Sequence, residues 1–241
     1  MTEYKLSDAT RRKLMGVSGA TICTALYKRG LRNQWIQDVH PVGPHKQNMV
    51  GQAYTMRYIP AREDLNPISV FQDPSHPQRA GVEAIPAGFV MVIDSRKDAR
   101  AASAGSILVT RMMKRGVAGV VTDGGFRDAP EIGALDMPTY HNRPSSPTNL
   151  TLHQAMDLNV PIGCGDAPVL PGDVIVGDGE GVVVIPANIA DEIANEAVEM
   201  TAYEDFVTEQ VQGGATIVGL YPATKEENLT KFAAWRKANN R

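Results

Sequence analysis

Two short, almost wholly apolar runs constrain this chain more than anything else in it. Residues 88–94 (GFVMVID) and 117–122 (VAGVVT) show none of the polar–apolar alternation that a strand with one wet face would carry, so both read as buried strands. Between them, Ser103 is placed to cap a helix over residues 104–115, and Gly116 is placed to stop it. Strand, helix and strand in succession predict an α/β fold. At 241 residues the chain is long enough for one large domain or two small ones with a buried core. Its 43% apolar and 21% charged residues exclude disordered, collagen-like and heavily charged classes.

The flanking segments follow the same logic. Ser7 and Ser18 are expected caps of two short opening helices, the second ending at Lys28 and Arg29 with Gly30 as its stop. Residues 49–59 (MVGQAYTMRYI) read as a strand, and residues 60–86, with five prolines, as a long loop holding at most a short helix. Pro130 suits the first turn of a short helix containing Glu131. Strands are expected at 160–164, 173–176 and 181–185, the last entered through the hairpin turn Asp178-Gly179-Glu180-Gly181. Asn188 and Asp191 mark the start of a helix whose apolar face is Ile193, Ala197, Met200, Val207 and Val211. Thr224 to Glu227 forms a capping box for a last helix bearing Leu229, Phe232 and Trp235.

Charge and cysteine content remove several functions. With 24 basic against 27 acidic residues, the chain lacks the basic excess of a broad nucleic-acid binder, and no direct nucleic-acid partner is expected. Cys23 and Cys164 are too few for a disulfide scaffold and are expected as small core residues. The opening residues have no apolar leader segment, and no run approaches the ~18 apolar residues of a membrane span. The expected address is the cytoplasm, away from membranes.

Chemistry concentrates in two stretches. Gly105, Ser106, Ile107 and Leu108 occupy the opening turn of the predicted helix, where unpaired N–H groups and the helix dipole attract an anion. Asp123-Gly124-Gly125-Phe126-Arg127-Asp128 follows a buried strand, at the kind of strand end where α/β proteins place ligands. Arg127 offers a planar fork for a carboxylate, and Asp128 offers hard oxygens for Mg²⁺ or Mn²⁺. Together they suit a small 2-oxo acid. The plainer alternative is that Arg127 and Asp128 pair with each other and the glycines only make the turn.

The order and spacing of these residues, continued by Asp136-Met-Pro-Thr-Tyr and by Pro171-Gly172-Asp173 through Gly181 to Pro186, resemble the 4-hydroxy-4-methyl-2-oxoglutarate aldolase family, which also contains the RraA-like ribonuclease regulators. The resemblance implies a single compact β/β/α swivelling-type α/β domain over residues 1–241, with a long loop at about 60–86 and a C-terminal helical tail at about 215–241. It implies a homotrimer or homohexamer, and a lyase dependent on Mg²⁺, Mn²⁺ or another divalent cation. That lyase would cleave a 4-hydroxy-2-oxo acid to pyruvate and a second carbonyl product through a metal-stabilised enolate, and would decarboxylate oxaloacetate. On that resemblance Gly105, Ser106, Ile107, Leu108 and Arg127 hold the substrate and Asp128 holds the metal. Glu131, three positions on, marks the catalytic branch. The proton acceptor stays open between Asp123, Glu131, a metal-bound water and a carboxylate of a neighbouring subunit.

Other chemistries have weaker footing. A Schiff-base aldolase needs a desolvated lysine, whereas Lys114 lies in a helix's last turn and Lys97 in a polar run. His40, His45, His76, His141 and His153 lack zinc-ligand spacing. His141 could line a site and His45 and His76 could touch substrate, though structural roles are the simpler reading. A non-catalytic regulator binding a ribonuclease is the main alternative class. A dehydratase or hydrolase of a sugar-derived 2-oxo acid, read by Arg62, Glu63 and Asp64, is a third.

Overall fold

The computed structural model describes residues 4–44 and 47–241, so His45 lies outside the described residues. In chain order, α1 (Asp8–Met15) and α2 (Gly19–Tyr27) lead to β1 (Trp35–Ile36), β2 (His40–Pro41) and the long β3 (Met49–Pro60). Next come α3 (Pro77–Ala84), β4 (Phe89–Asp94), β5 (Ala102–Ala104), α4 (Ser106–Lys114), β6 (Gly119–Thr122), β7 (Gly125–Phe126) and α5 (Ala129–Gly133). The last third holds β8 (Thr139–His141), β9 (Arg143–Pro144), β10 (His153–Leu158), β11 (Ile162–Cys164), β12 (Ala167–Val169), β13 (Val174–Gly177) and β14 (Val182–Ile185). The helices α6 (Ala190–Gln212) and α7 (Glu226–Asn239) follow.

The two apolar runs are β4 and β6, and they lie side by side in parallel with Ile93 opposite Thr122. They sit at the middle of a curled sheet ordered β1-β14-β13-β3-β4-β6-β8-β2, with β10 paired to the far part of β3. The stretch β3-β4-β6-β8 is parallel, and the flanking pairings are antiparallel. Alternation along β4 explains why that run contains no polar position. Val90 and Val92 pack with Val121, Tyr140 and Val184, whereas Met91 and Ile93 pack with Val109, Met112 and Val120 beneath α4. Each such side chain, fully buried, contributes on the order of 2 kcal/mol by leaving water. A third cluster lets α1, α2 and α6 cover the β13–β14 end through Leu14, Ile22, Leu26 and Ile193. The fold is mixed α/β, as expected.

Local signals hold where they depend only on neighbours in sequence. The hydroxyls of Ser7 and Ser18 accept from the N–H groups of Thr10 and Thr21, each at 3.1 Å, and so cap α1 and α2. Three expected caps are corrected. Ser103 lies inside β5, fully buried, and α4 begins at Ser106 behind Gly105. Asn188 lies within a 3-10 turn before α6, whose cap is Ile189. Lys225, not Thr224, precedes α7, without a side-chain cap. Residues 60–86 contain a 3-10 turn (Ile68–Gln72) and α3. Along α6, Ile193, Ala197 and Val207 are buried but Val211 is exposed. The tail helix α7 returns onto α6, with Phe232 and Trp235 against Tyr203 and Phe206, while Leu229 faces solvent. Among the described residues no helix is long and apolar enough to cross a membrane.

The β3–β4 contact is close enough to need a glycine at position 51. A Cβ there would stand 2.6 Å from the carbonyl oxygen of Gly88 and 2.9 Å from Val90 Cγ2. Backbone on one side leaves little room to relax, so Gly51→Ala is expected to cost about 1–3 kcal/mol of stability. Urea unfolding monitored by circular dichroism measures this; a loss below about 0.5 kcal/mol would show that the sheet opens more easily than its packing indicates.

Candidate active site

The site is built where β6 ends. Its last residue, Thr122, joins a buried hydroxyl group of three: Ser103 Oγ lies 2.6 Å from both Ser95 Oγ and Thr122 Oγ1, and Gly124 N–H donates to Thr122 Oγ1 at 3.0 Å. A Cβ on Gly124 would fall 2.6 Å from Ser103 Oγ, so this turn admits no side chain at that position. The chain then forms β7, which lies parallel to β5 on one side and β9 on the other. Arg127 N–H donates to the Ala104 carbonyl at 3.0 Å, which draws the Arg127-Asp128 pair against the start of α4.

That approach explains Gly105. A Cβ on it would be 3.2 Å from Asp128 Oδ2 and 3.5 Å from Arg127 Cβ. Asp128 takes a left-handed backbone conformation (φ 56°) and turns its carboxylate onto the first turn of α4. Its Oδ2 accepts from Ser106 N–H at 3.3 Å and from Ser106 Oγ at 3.0 Å. The anion attracted by this helix start is therefore in part the protein's own, contributed from 22 residues downstream, as the macrodipole favours. Arg127 and Asp128 form no ion pair with each other, and the Arg127 guanidinium has no hydrogen-bond or ion-pair partner among the described residues.

Arg127 and Asp128 line a cavity of about 410 Å³ together with Gly105, Ile107 and Leu108. Ser106 stands at its edge through its bonds to Asp128. Residues outside the expected set complete it. Ile68, Phe71, Gln78 and Arg79 come from the 60–86 segment, and Thr148 and Asn149 from the turn before β10. Gln78 is tied in place, its amide donating to Tyr58 Oη at 3.0 Å and to the Ser103 carbonyl at 2.8 Å. No pattern in the sequence marks these positions, because they reach the cavity only through tertiary packing.

Two expected residues are not among those lining the cavity. Glu131 is exposed in the first turn of α5. Asp123 is 1% exposed, and its two oxygens accept from the N–H groups of Ser95 (2.7 Å), Lys97 (3.1 Å) and Gly165 (3.1 Å). Burial raises its carboxyl to about 6, although the three donors pull the other way. The remaining candidates are also placed. Lys97 pairs with Asp166 at 2.6 Å, which raises its pKa, the opposite of a lysine activated by desolvation. Lys114 is exposed at the end of α4. Arg62 and Asp64 pair with each other on the surface, away from the cavity lining.

Among the histidines, His153 is fully buried between the Asp98 carbonyl and Arg96. His141 stacks on Phe126 with its Nδ1 unpartnered, and burial lowers its pKa to about 4. His40 faces His141 across the β2–β8 pair, and His76 stands at the start of α3 against Phe71. Cys164 is buried and Cys23 half-buried, both free thiols.

The metal-holding capacity is limited and specific. Among the described residues no three His, Cys, Asp or Glu side chains cluster as a cage. Asp128 has one oxygen, Oδ1, without a hydrogen bond, beside a cavity. That donor set fits a hard cation such as Mg²⁺, which keeps most of its ligands as water and substrate oxygens, and does not fit a histidine-bound zinc.

Known proteins share this arrangement to different extents. The family model described as RraA-like, Aldolase/RraA, matches residues 19–184. A Halalkalibacterium halodurans protein provisionally named 4-hydroxy-4-methyl-2-oxoglutarate aldolase is 35% identical over 127 residues, covering 53% of this chain and 60% of its own length. Protein DlpA of Legionella pneumophila is 22% identical over 208 residues, covering 86% of this chain and 32% of its own. The chain thus spans less than two thirds of the length of these curated relatives. Among solved structures, Streptomyces coelicolor RraAS2, described as an unusual member of the RNase ES inhibitor RraA protein family, superposes with a TM-score of 0.73 at 28% identity. That match covers 84% of this chain and 96% of RraAS2.

Asp123 makes a measurable prediction. Its folded value of about 6 lies above the ordinary 3.8, so the native state holds this proton more tightly than the unfolded chain does. Its contribution to stability is therefore greatest below about pH 4 and is lost as pH rises through about 6, by at most about 3 kcal/mol. Urea unfolding of wild type and Asp123→Asn from pH 4 to 7 separates this slope from that of the other carboxylates. Parallel profiles for the two proteins would dismiss it.

Proposed function

The chain belongs to the RraA-like family of aldolases and RraA proteins, and from that premise we propose that it is a divalent-metal-dependent carbon–carbon lyase. Its substrate on this reading is a 4-hydroxy-2-oxo acid, cleaved between C3 and C4 to pyruvate and a second carbonyl product. Oxaloacetate decarboxylation is proposed as a companion activity. The observation that carries the reading is an arginine, Arg127, with no acidic partner, in a cavity it shares with the Asp128 carboxylate.

The chemistry asks three things of the protein. The carboxylate of the 2-oxo acid must be held so that the breaking bond stays aligned. Arg127 supplies a planar two-pronged donor for it, and its backbone is fixed by the bond to the Ala104 carbonyl. Negative charge that develops on the keto oxygen as the bond breaks must be stabilised. A divalent cation held by Asp128 would supply that Lewis-acid stabilisation when bound. Water must be limited around the reacting carbon, and Ile68, Phe71, Ile107 and Leu108 give the cavity an apolar wall.

Proton handling distinguishes the two reactions. Retro-aldol cleavage needs an acceptor for the C4 hydroxyl proton. Asp128 is the only carboxylate lining the cavity among the described residues. Glu131 is one turn away on α5 and outside the lining. A neighbouring copy, in the trimeric or hexameric assembly proposed for this chain, is a further source of a carboxylate. Decarboxylation of oxaloacetate needs no such acceptor, because carbon dioxide leaves without a proton. Oxaloacetate is accordingly the first substrate to assay.

Pyruvate formation from oxaloacetate and from 4-hydroxy-2-oxo acids is expected to require Mg²⁺ or Mn²⁺ and to stop with EDTA. Asp128→Ala is expected to lower kcat/KM by about 100-fold or more, since it removes the only carboxylate available to the cation. Arg127→Met is expected to act mainly through KM, by roughly 10- to 100-fold, the value of a charge-assisted hydrogen-bonded pair. Metal-independent turnover, or an unimpaired Asp128→Ala, sinks the assignment. No turnover together with co-purification of a ribonuclease would favour the regulator reading suggested by the RraAS2 likeness.

A further inference from the structure

The same cavity holds a second cation that the reaction above does not use. Arg79, half-buried on α3, lines it together with Arg127, and like Arg127 it has no hydrogen-bond or ion-pair partner among the described residues. Its guanidinium carbon lies 4.3 Å from the centre of the Phe71 ring. A guanidinium stacked on an aromatic face keeps its N–H edges free, because those donors lie in its own plane. Stacking also limits the rotamers of the side chain, which lowers the entropy lost on binding an anion.

A second, independent group points into the same space. Asn149 is 4% exposed and lines the cavity, and its Nδ2 is buried without a hydrogen-bond partner. Its Oδ1 accepts from Thr148 Oγ1, at 3.4 Å, which orients the amide with nitrogen toward the unpaired side. An unmatched buried donor of this kind is costly and rare unless something accepts from it. The Gln78 amide nitrogen is already committed to Tyr58 and Ser103 and adds no competing donor. Arg79 and Asn149 together present donors alone, a set that matches a group made only of acceptors.

We propose that Arg79, held on Phe71 and joined by the Asn149 amide, forms a second anion subsite that selects 2-oxo acids bearing a carboxylate at the end remote from the keto acid. The proposal rests on the reading of Arg127 as the holder of the keto-acid carboxylate. It gives the 60–86 segment a role in specificity: Phe71 and Arg79 both belong to it, and the turn before β10 supplies Asn149. Arg79 acts by choosing substrates and takes no part in the bond that breaks.

Calorimetric titration of the whole chain with 2-oxoglutarate and with 2-oxopentanoate, in the presence of Mg²⁺, isolates the far carboxylate, because the two acids share a five-carbon chain. Wild type is expected to prefer 2-oxoglutarate by roughly 10- to 100-fold. Arg79→Met is expected to bring the ratio near one, Asn149→Ala to lower it in part, and Arg79→Lys to keep an intermediate preference. Arg127→Met is expected to weaken pyruvate binding as well. Binding of pyruvate with no preference for the dicarboxylate, or an Arg79→Met ratio equal to that of wild type, overturns the subsite and leaves the lyase reading standing. A preference abolished by Arg79→Met, without pyruvate release from oxaloacetate or 4-hydroxy-2-oxoglutarate, supports the subsite and overturns the lyase instead.

Discussion

Ser103 sets the position of both sides of the cavity. Its hydroxyl sits 2.6 Å from those of Ser95 and Thr122, which fixes the turn leading to Arg127 and Asp128. Its carbonyl accepts from Tyr58 Oη at 2.8 Å and from Gln78 Nε2 at 2.8 Å, which fixes α3 and with it Arg79. One fully buried residue therefore ties together a strand end of the central sheet, the β5–β7 ribbon and the helix of a long proline-rich connection. Buried hydroxyls are expensive unless every one finds a partner, and a satisfied network of them holds its members firmly. Asp123 extends the same logic on the other side of the turn, where its carboxylate holds three N–H groups from stretches far apart in sequence.

How much of this was legible in the sequence depends on how local each interaction is. The strands β4 and β6 announce themselves because both faces are buried, so every position must be apolar. Ser7 and Ser18 are readable caps because the bond they make reaches three residues along. Arg127 and Asp128 stand out because they are consecutive and follow a buried strand. Ser103 misleads for the opposite reason. A serine before a helical run looks like a cap, yet its partners are 8 and 19 residues away in sequence and become neighbours only when β4, β5 and β6 come together. The true partner of the α4 start is Asp128, 22 residues on, and nothing in the helix itself records it. Arg79 and Asn149 carried no signal at all, being 70 residues apart and joined only by the cavity between them.

The glycines at the site show a related limit. Gly105 and Gly124 have ordinary backbone angles and are needed for space, since a Cβ would meet the Asp128 carboxylate in one case and Ser95 and Ser103 in the other. A sequence reader can suspect a turn from such residues but cannot tell which atom occupies the missing side chain's place. The left-handed position in this turn falls to Asp128, where glycine would be the easier choice. Its carboxylate, bonded to both Ser106 donors, offsets the backbone cost. Strain retained at a residue with a chemical task, and held by its surroundings, is what such sites commonly show.

Net charge and local field part company here. The chain carries −3 overall, which would repel a dicarboxylate at long range, although screening at physiological ionic strength confines that repulsion to about 8 Å. Inside the cavity the charged side chains are Arg79, Arg127 and Asp128, so the protein alone offers one net positive charge and a divalent cation on Asp128 would raise it to three. A substrate with a single carboxylate leaves two of those charges uncompensated, and one with two carboxylates leaves one. The better-matched ligand is the one whose second anion meets donors already stacked and oriented, because their ordering was completed when the chain folded around Ser103.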